Sequence, residues 1–188
     1  MKPATRSNRA FLLAALVAVA FGATAAALKT DAAHSSVAAV FKQMNVPVEA
    51  KFTRFNVQID YDALKPDASR ARVEIDTASL DIGDAEMNRE VAKKEWFNSA
   101  QFPKATFVSS SIKPAGAGRL SVSGKLSIKG KTADVSFPLA VKTEAGKQVF
   151  EGSLPIRRLA FNIGEGEWND TSMVADDVVI KFRVAAVK

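Results

Sequence analysis

The 188-residue chain has no cysteine, one histidine and one tyrosine. Without cysteine there is no disulfide, no thiolate zinc site and no thiol nucleophile. With His34 as the lone imidazole, a metal would need a carboxylate-rich site, and Asp60, Asp62 and Asp67 lack the glycine and closing glutamate of a calcium loop. Nucleophilic catalysis needs a base beside Ser or Cys and a third group to orient it. Ser35 and Ser36 adjoin His34 in sequence, yet on a strand they diverge. Asp176 and Asp177, as strand neighbours, also point to opposite faces. The expectation is a protein that is not an enzyme and carries neither metal nor cofactor.

Two nucleotide signatures are incomplete as well. Gly130-Lys131-Thr132 would close a phosphate loop only with a glycine at position 125, which is Lys125, and its flanks alternate like strands. Gly164-Glu165-Gly166-Glu167-Trp168 lacks the third glycine of a dinucleotide fingerprint and reads as a loop with Trp168 folded back on the domain. No Lys/Arg cluster alternates with aromatics, so nucleic acid is not an expected partner.

Long apolar runs are scarce too. The amino terminus carries Lys2, Arg6 and Arg9, then runs uncharged from Phe11 to Phe21 and on to Ala25 and Ala27, which fit the A-x-A cleavage rule before Leu28. About 12 apolar residues fall short of the roughly 20 that a membrane-spanning helix needs. Residues 1–27 therefore read as a secretory signal peptide and 28–188 as one domain, not membrane-spanning after cleavage. Losing the leader takes three of the 26 basic residues, so the charge against 20 acids drops from +6 to +3. The mature length, about 160 residues, suffices for one core without disulfides.

What the chain has is alternation. In LSVSGKLSI, Leu120, Val122, Leu126 and Ile128 share one parity while serines and lysines fill the other, and Val135, Phe137, Leu139 and Val141 repeat the pattern beyond a turn. Residues 34–43 put Val37 and Phe41 on one side, and 54–62 put Phe55, Val57, Ile59 and Tyr61 there. Further strands fall at 70–80, at 105–113 with ambiguous facing, at 148–161 with Phe150, Leu154 and Ile156 aligned, and at 177–188. Short Gly- and Pro-marked turns suit antiparallel neighbours. The exception is 83–103, where Asp84 can cap a short helix ahead of Met87 and Val91. The fold class is all-β, an antiparallel up-and-down barrel of about eight strands or a sandwich, and closure would remove the exposed edges.

DAAHSSV at 31–37, KFTRF at 51–55, SLDIG at 79–83, WFNSAQFPKATFVS at 96–109 and GKLSIKGKT at 124–132 occur in an order that resembles the YceI-like family. The resemblance spans 28–188 and implies a lipocalin-like barrel that is exported to the periplasm and binds a polyisoprenoid or other long-chain amphiphile. Its ligand would be a quinone, a quinone precursor or a polyprenyl phosphate. Two departures from the pattern are Met87-Asn88-Arg89-Glu90 where members often have a basic run, and Ala50 where a glycine is usual.

On that resemblance the dry faces become a ligand wall, and parity selects Val37, Phe41, Phe55, Val57, Ile59, Leu120, Val122, Leu126, Ile128, Val135, Phe137 and Leu139, with Trp96, Phe97 and Phe102 near a mouth. Lys51, Arg54, Arg89, Lys93 and Lys94 are the cations available to an anionic head group or to a solvated rim. The other reading is an interaction module with a side-chain-filled barrel that docks on a membrane redox partner, alone or as a homodimer.

Overall fold

The structure, a computed structural model, describes residues 26–187; the signal-peptide expectation at 1–27 falls outside these apart from Ala26 and Ala27. Ten strands form a single antiparallel sheet: β1 (Ala26–Gln43), β2 (Val46–Phe52), β3 (Phe55–Tyr61), β4 (Arg70–Asp76), β5 (Leu80–Asp81), β6 (Lys104–Pro114), β7 (Arg119–Ile128), β8 (Lys131–Glu144), β9 (Lys147–Arg157) and β10 (Asp177–Val187). β10 pairs back onto β1 and closes the sheet into an eight-strand up-and-down barrel of β1, β3, β4 and β6 to β10. β2 and β5 extend the wall beyond the far half of β1. Closure satisfies the backbone around most of the ring and puts alternate side chains inside.

Each element has a local cause. The β7–β8 hairpin turns on Lys129 and Gly130, both at positive φ, which suits the right-handed twist of its strands. The one α-helix of the described residues, α1 (Ala85–Val91), starts where the Asp84 carboxylate accepts from the N–H groups of Glu86 and Met87. Bulges shift the register of β1 between Asp31 and Ser36 and of β6 between Ser109 and Ser111. Each shift swaps the parity of inward residues, so β6 faces inward with Ala105, Phe107 and Ser109 and then with Ile112. Gly124 lies opposite the second bulge, where a Cβ would stand 2.4 Å from the Val108 carbonyl oxygen. β8 and β9 pair only from Leu139 to Glu144, and below that they diverge beside Pro138 and Pro155, residues suited to a sheet edge.

The two barrel ends differ. One end collects the segment between β4 and β6, including α1, and the segment between β9 and β10, which together form a cap. The other end collects the amino-terminal half of β1 and the short turns after β3, β6 and β8. There Tyr61 meets Phe150 edge-on at 5.3 Å. Lys147, at the start of β9, donates to Asp31 at 2.6 Å, and His34 bonds the same carboxylate at 2.9 Å. His34 is thus a hydrogen-bonded surface residue near the β1 bulge, and Asp176 accepts from the Leu159 N–H rather than pairing with Asp177.

The Lys147 hydrogen bond, followed by that of His34, pulls the Asp31 carboxyl down to about 2 from an ordinary 3.8. A depressed folded pKa stabilises the fold above the unfolded value, and that contribution is lost as pH falls from about 4 toward 2. Lys147→Ala is expected to move the Asp31 titration up toward 3.8 and to flatten the acid dependence of stability in that window, as read by carboxyl NMR and urea unfolding at stepped pH.

Candidate ligand-binding site

Inward side chains do not fill the barrel. A cavity of about 220 Å³ runs along its axis, from Tyr61, Leu120, Leu139 and Phe150 at the open-turn end to Trp96, Phe97, Arg158 and Trp168 under the cap. A row of three rings crosses its middle, with Phe107–Phe137 and Phe137–Phe182 centroids each 5.4 Å apart. Water needs two to four polar partners to settle in such a space, and a wall made mostly of Val, Ile, Leu and Phe supplies few. An unfilled apolar space leaves its wall without facing atoms, so those dispersion contacts are lost. A space this expensive, with a wall of carbon, is matched to an apolar guest.

Most of the residues that parity selects reach this wall. Val37, Phe41, Val57, Ile59, Leu120, Val122, Leu126, Ile128, Phe137 and Leu139 line it along the strands, and Trp96 and Phe97 line it at the cap. Three do not. Phe55 opens β3 just after the Thr53–Arg54 corner, where it is half-buried in the barrel wall. Val135 lies on the stretch of β8 that has left β9, opposite Gly124 of β7. Phe102 packs its ring over Gly130 at the β7–β8 turn.

Other wall residues escaped the parity choice. Ile180, Phe182 and Val184 line the cavity from β10, and Phe150, Leu154 and Ile156 from β9. Both sets alternate in the sequence and could have been selected on that signal. Phe107 was hidden by the β6 bulge, which makes the strand's facing unreadable from parity. Arg158 continues the inward parity of Phe150, Leu154 and Ile156, and an arginine on a dry parity is itself a sign of a buried charge.

Arg158 is 2% exposed and organises the cap. Its Nε donates to the Ala175 carbonyl, Nη1 to those of Ile163 and Gly164, and Nη2 to those of Trp168 and Val174, over 2.7–3.2 Å. All five N–H groups are therefore used on backbone. Burial pushes the guanidinium pKa down, and nearby Asp176 opposes that shift. Buried Lys129 adds a second tie, donating to the Asn162 carbonyl at 2.6 Å and to the Glu165 carboxylate at 2.9 Å. Trp168 folds back onto Trp96 with ring centroids 5.3 Å apart.

The cations proposed for a head group gather at the capped end but are mostly engaged. Arg54 pairs with Asp76 at 2.9 Å, Lys93 with Glu90 at 2.5 Å and Arg89 with Glu86 at 3.8 Å. Lys51 and Lys94 are exposed. Pairs this exposed contribute little to stability.

Removing the Arg158 fork strands five carbonyls at once, three of them buried. Arg158→Met is expected to cost about 3 kcal/mol or more, and Arg158→Lys to lose part of that because a point charge on a flexible stem cannot reach all five. The check is the urea midpoint at unchanged m.

Similarity to known proteins covers the same stretch. The YceI-like domain profile matches residues 28–186. A UPF0312 protein of Shewanella putrefaciens (strain CN-32) is 34% identical over 151 residues, 77% of this chain and 75% of that protein. The solved structure of BcnA from Burkholderia cenocepacia superposes with a TM-score of 0.82 at 50% identity, over 85% of this chain and 100% of that one. A polyisoprenoid-binding domain from Saccharophagus degradans, 17% identical, shares the fold with a TM-score of 0.69 over 86% of this chain and 97% of that one. Profile, sequence and barrel agree from the first strand to the last, and the chain belongs to the YceI-like family.

Proposed function

We propose that this protein is a periplasmic, non-enzymatic carrier that holds an isoprenoid lipid, or a similar long-chain amphiphile, by its apolar tail. The single observation that carries the reading is the continuous carbon-walled cavity along the barrel axis. Family membership and the polyisoprenoid-binding description of a protein with the same fold support it. So does the charged leader at Lys2, Arg6 and Arg9, which is the reason for choosing an exported compartment.

The mechanism is partition. A hydrocarbon tail leaves water or membrane for a space that the protein has already kept open, so the guest recovers the dispersion contacts that the empty wall lacks. No reaction is needed. The wall carries few polar groups, chiefly Gln43, Ser69, Glu90, Thr106 and Arg158, and these offer no nucleophile–base pair. The reading leaves the side-chain-filled docking module behind, because an interior that must exclude ligand has no use for so costly a void.

Affinity should then depend on tail length. At about 0.3 kcal/mol per heavy atom, one five-carbon unit contributes roughly 1.5 kcal/mol, or about tenfold in Kd, until the cavity is full. In a displacement assay with prenyl alcohols of increasing length, affinity is expected to climb and then plateau, and Phe137→Glu to abolish binding in protein that still folds. A flat response across the series would reject the carrier.

A further inference from the structure

Resting on the carrier reading above, we propose that the ligand enters and leaves through the side of the barrel, where β8 and β9 part, and that the Phe182 ring gates this portal. The backbone ladder breaks between β1 and β3 and again between β8 and β9. At the first break, pairing stops after Leu28–Ile59, but the Thr30 hydroxyl spans it by donating to the Val57 carbonyl at 2.7 Å, and Ser79 accepts from both Thr53 and Arg54 at the corner. That break is tied shut.

The second break is not. Pairing of β8 with β9 runs from Glu144–Lys147 to Leu139–Gly152 and stops, so that residues 131–138 pair only with β7 and residues 153–157 only with β10. Their charged side chains turn the same way, Asp134 to Lys125 of β7 and Arg157 to Asp177 of β10. Among the described residues no side-chain hydrogen bond or ion pair joins the two stretches. Opening the wall elsewhere would break ladder bonds, and lifting the cap would break the Arg158 and Lys129 ties. Here only side-chain packing must give, and segments held that way open at lower free energy.

The break leads into the cavity. Phe137 from the freed stretch of β8, and Leu154 and Ile156 from that of β9, all line the axial space. Phe182 stands where pairing resumes. It is the ladder partner of Gly152, at which a Cβ would come within 2.5 Å of the Phe182 ring carbon Cζ and 3.0 Å of the Pro138 carbonyl oxygen. The missing side chain thus lets the ring lie across β9 toward β8, behind the last ladder pair. Phe182 and Leu139 border both the cavity and a groove on the outer surface that runs past Pro138 and Gly152, which puts residue 182 at the boundary between the two spaces. The ring meets Phe137 edge-on at 5.4 Å, a contact that a rotamer change can exchange for the guest's tail.

Because the chain has no cysteine, Ser136→Cys and Ser153→Cys, both at exposed positions, give a unique pair flanking the break. A short bis-maleimide bridges them and ties β8 to β9; the same double variant capped with N-ethylmaleimide is the reference. The probe is N-phenyl-1-naphthylamine, with uptake followed by stopped-flow fluorescence and release by mixing with excess farnesol. The bridge is expected to slow both rates about tenfold or more and to hold Kd within about twofold, because a gate alters the barrier and not the end states. Phe182→Leu should speed both rates about tenfold. The portal is overturned if bridged and capped proteins exchange alike, or if a Met44→Cys/Met173→Cys bridge, which clamps two exposed neighbours at the capped end, slows exchange in its place. A change in release alone in Phe182→Leu would make the ring an affinity contact and overturn its role as gate. Failure of the wild-type protein to bind either compound would remove the carrier reading and the portal with it, whereas binding at rates indifferent to the bridge sinks the portal alone.

Discussion

Everything in this molecule follows from closing a ribbon whose inward side chains are too small to fill it. Eight antiparallel strands set a barrel radius through their number and stagger, and the pleat sends alternate residues inside. With Val, Ile, Leu and Phe at those positions the wall is dry, but the axis stays open over about 220 Å³. Adding side-chain volume would stabilise the fold, at the price of the cavity. The sequence keeps the cavity.

A hollow barrel has ends, and these are handled by different chemistry. Tyr61 and Phe150 narrow one end with rings. The other is roofed by irregular chain, whose carbonyls must find donors away from water. Arg158 meets five of them and Lys129 two more, so two buried cations do for the cap what a ladder does for the wall. One group under this roof, the Trp96 indole N–H, is left unpaired.

Legibility in sequence tracked the regularity of the backbone. The β7–β8 hairpin, β3, β9 and β10 could be read because each alternates without interruption, and the Asp84 cap marked α1 because the donor geometry of a helix start is local. β2 was missed: Val46-Pro47-Val48 has a proline and no clean alternation, and this strand holds its place by pairing with β1. Bulges defeated parity in β6, where an extra residue turns the inward set over between Ser109 and Ile112. Phe55, Val135 and Phe102 have the right chemistry and, for the first two, the right parity, but corners and diverging strands move them off the wall. Such departures depend on how distant segments meet, which a local pattern does not encode. The Trp96–Arg158–Trp168 arrangement is of that kind, since it joins residues from two separate connections through contacts that no spacing announces.

The central claim is a void that is present before any guest arrives. Crystals grown from delipidated protein and pressurised with xenon test it directly, because xenon settles in apolar cavities and avoids packed cores. The account predicts ordered xenon inside the barrel, near the Phe107, Phe137 and Phe182 rings. An interior free of xenon, with those rings closed on one another and on the opposite wall, would contradict it.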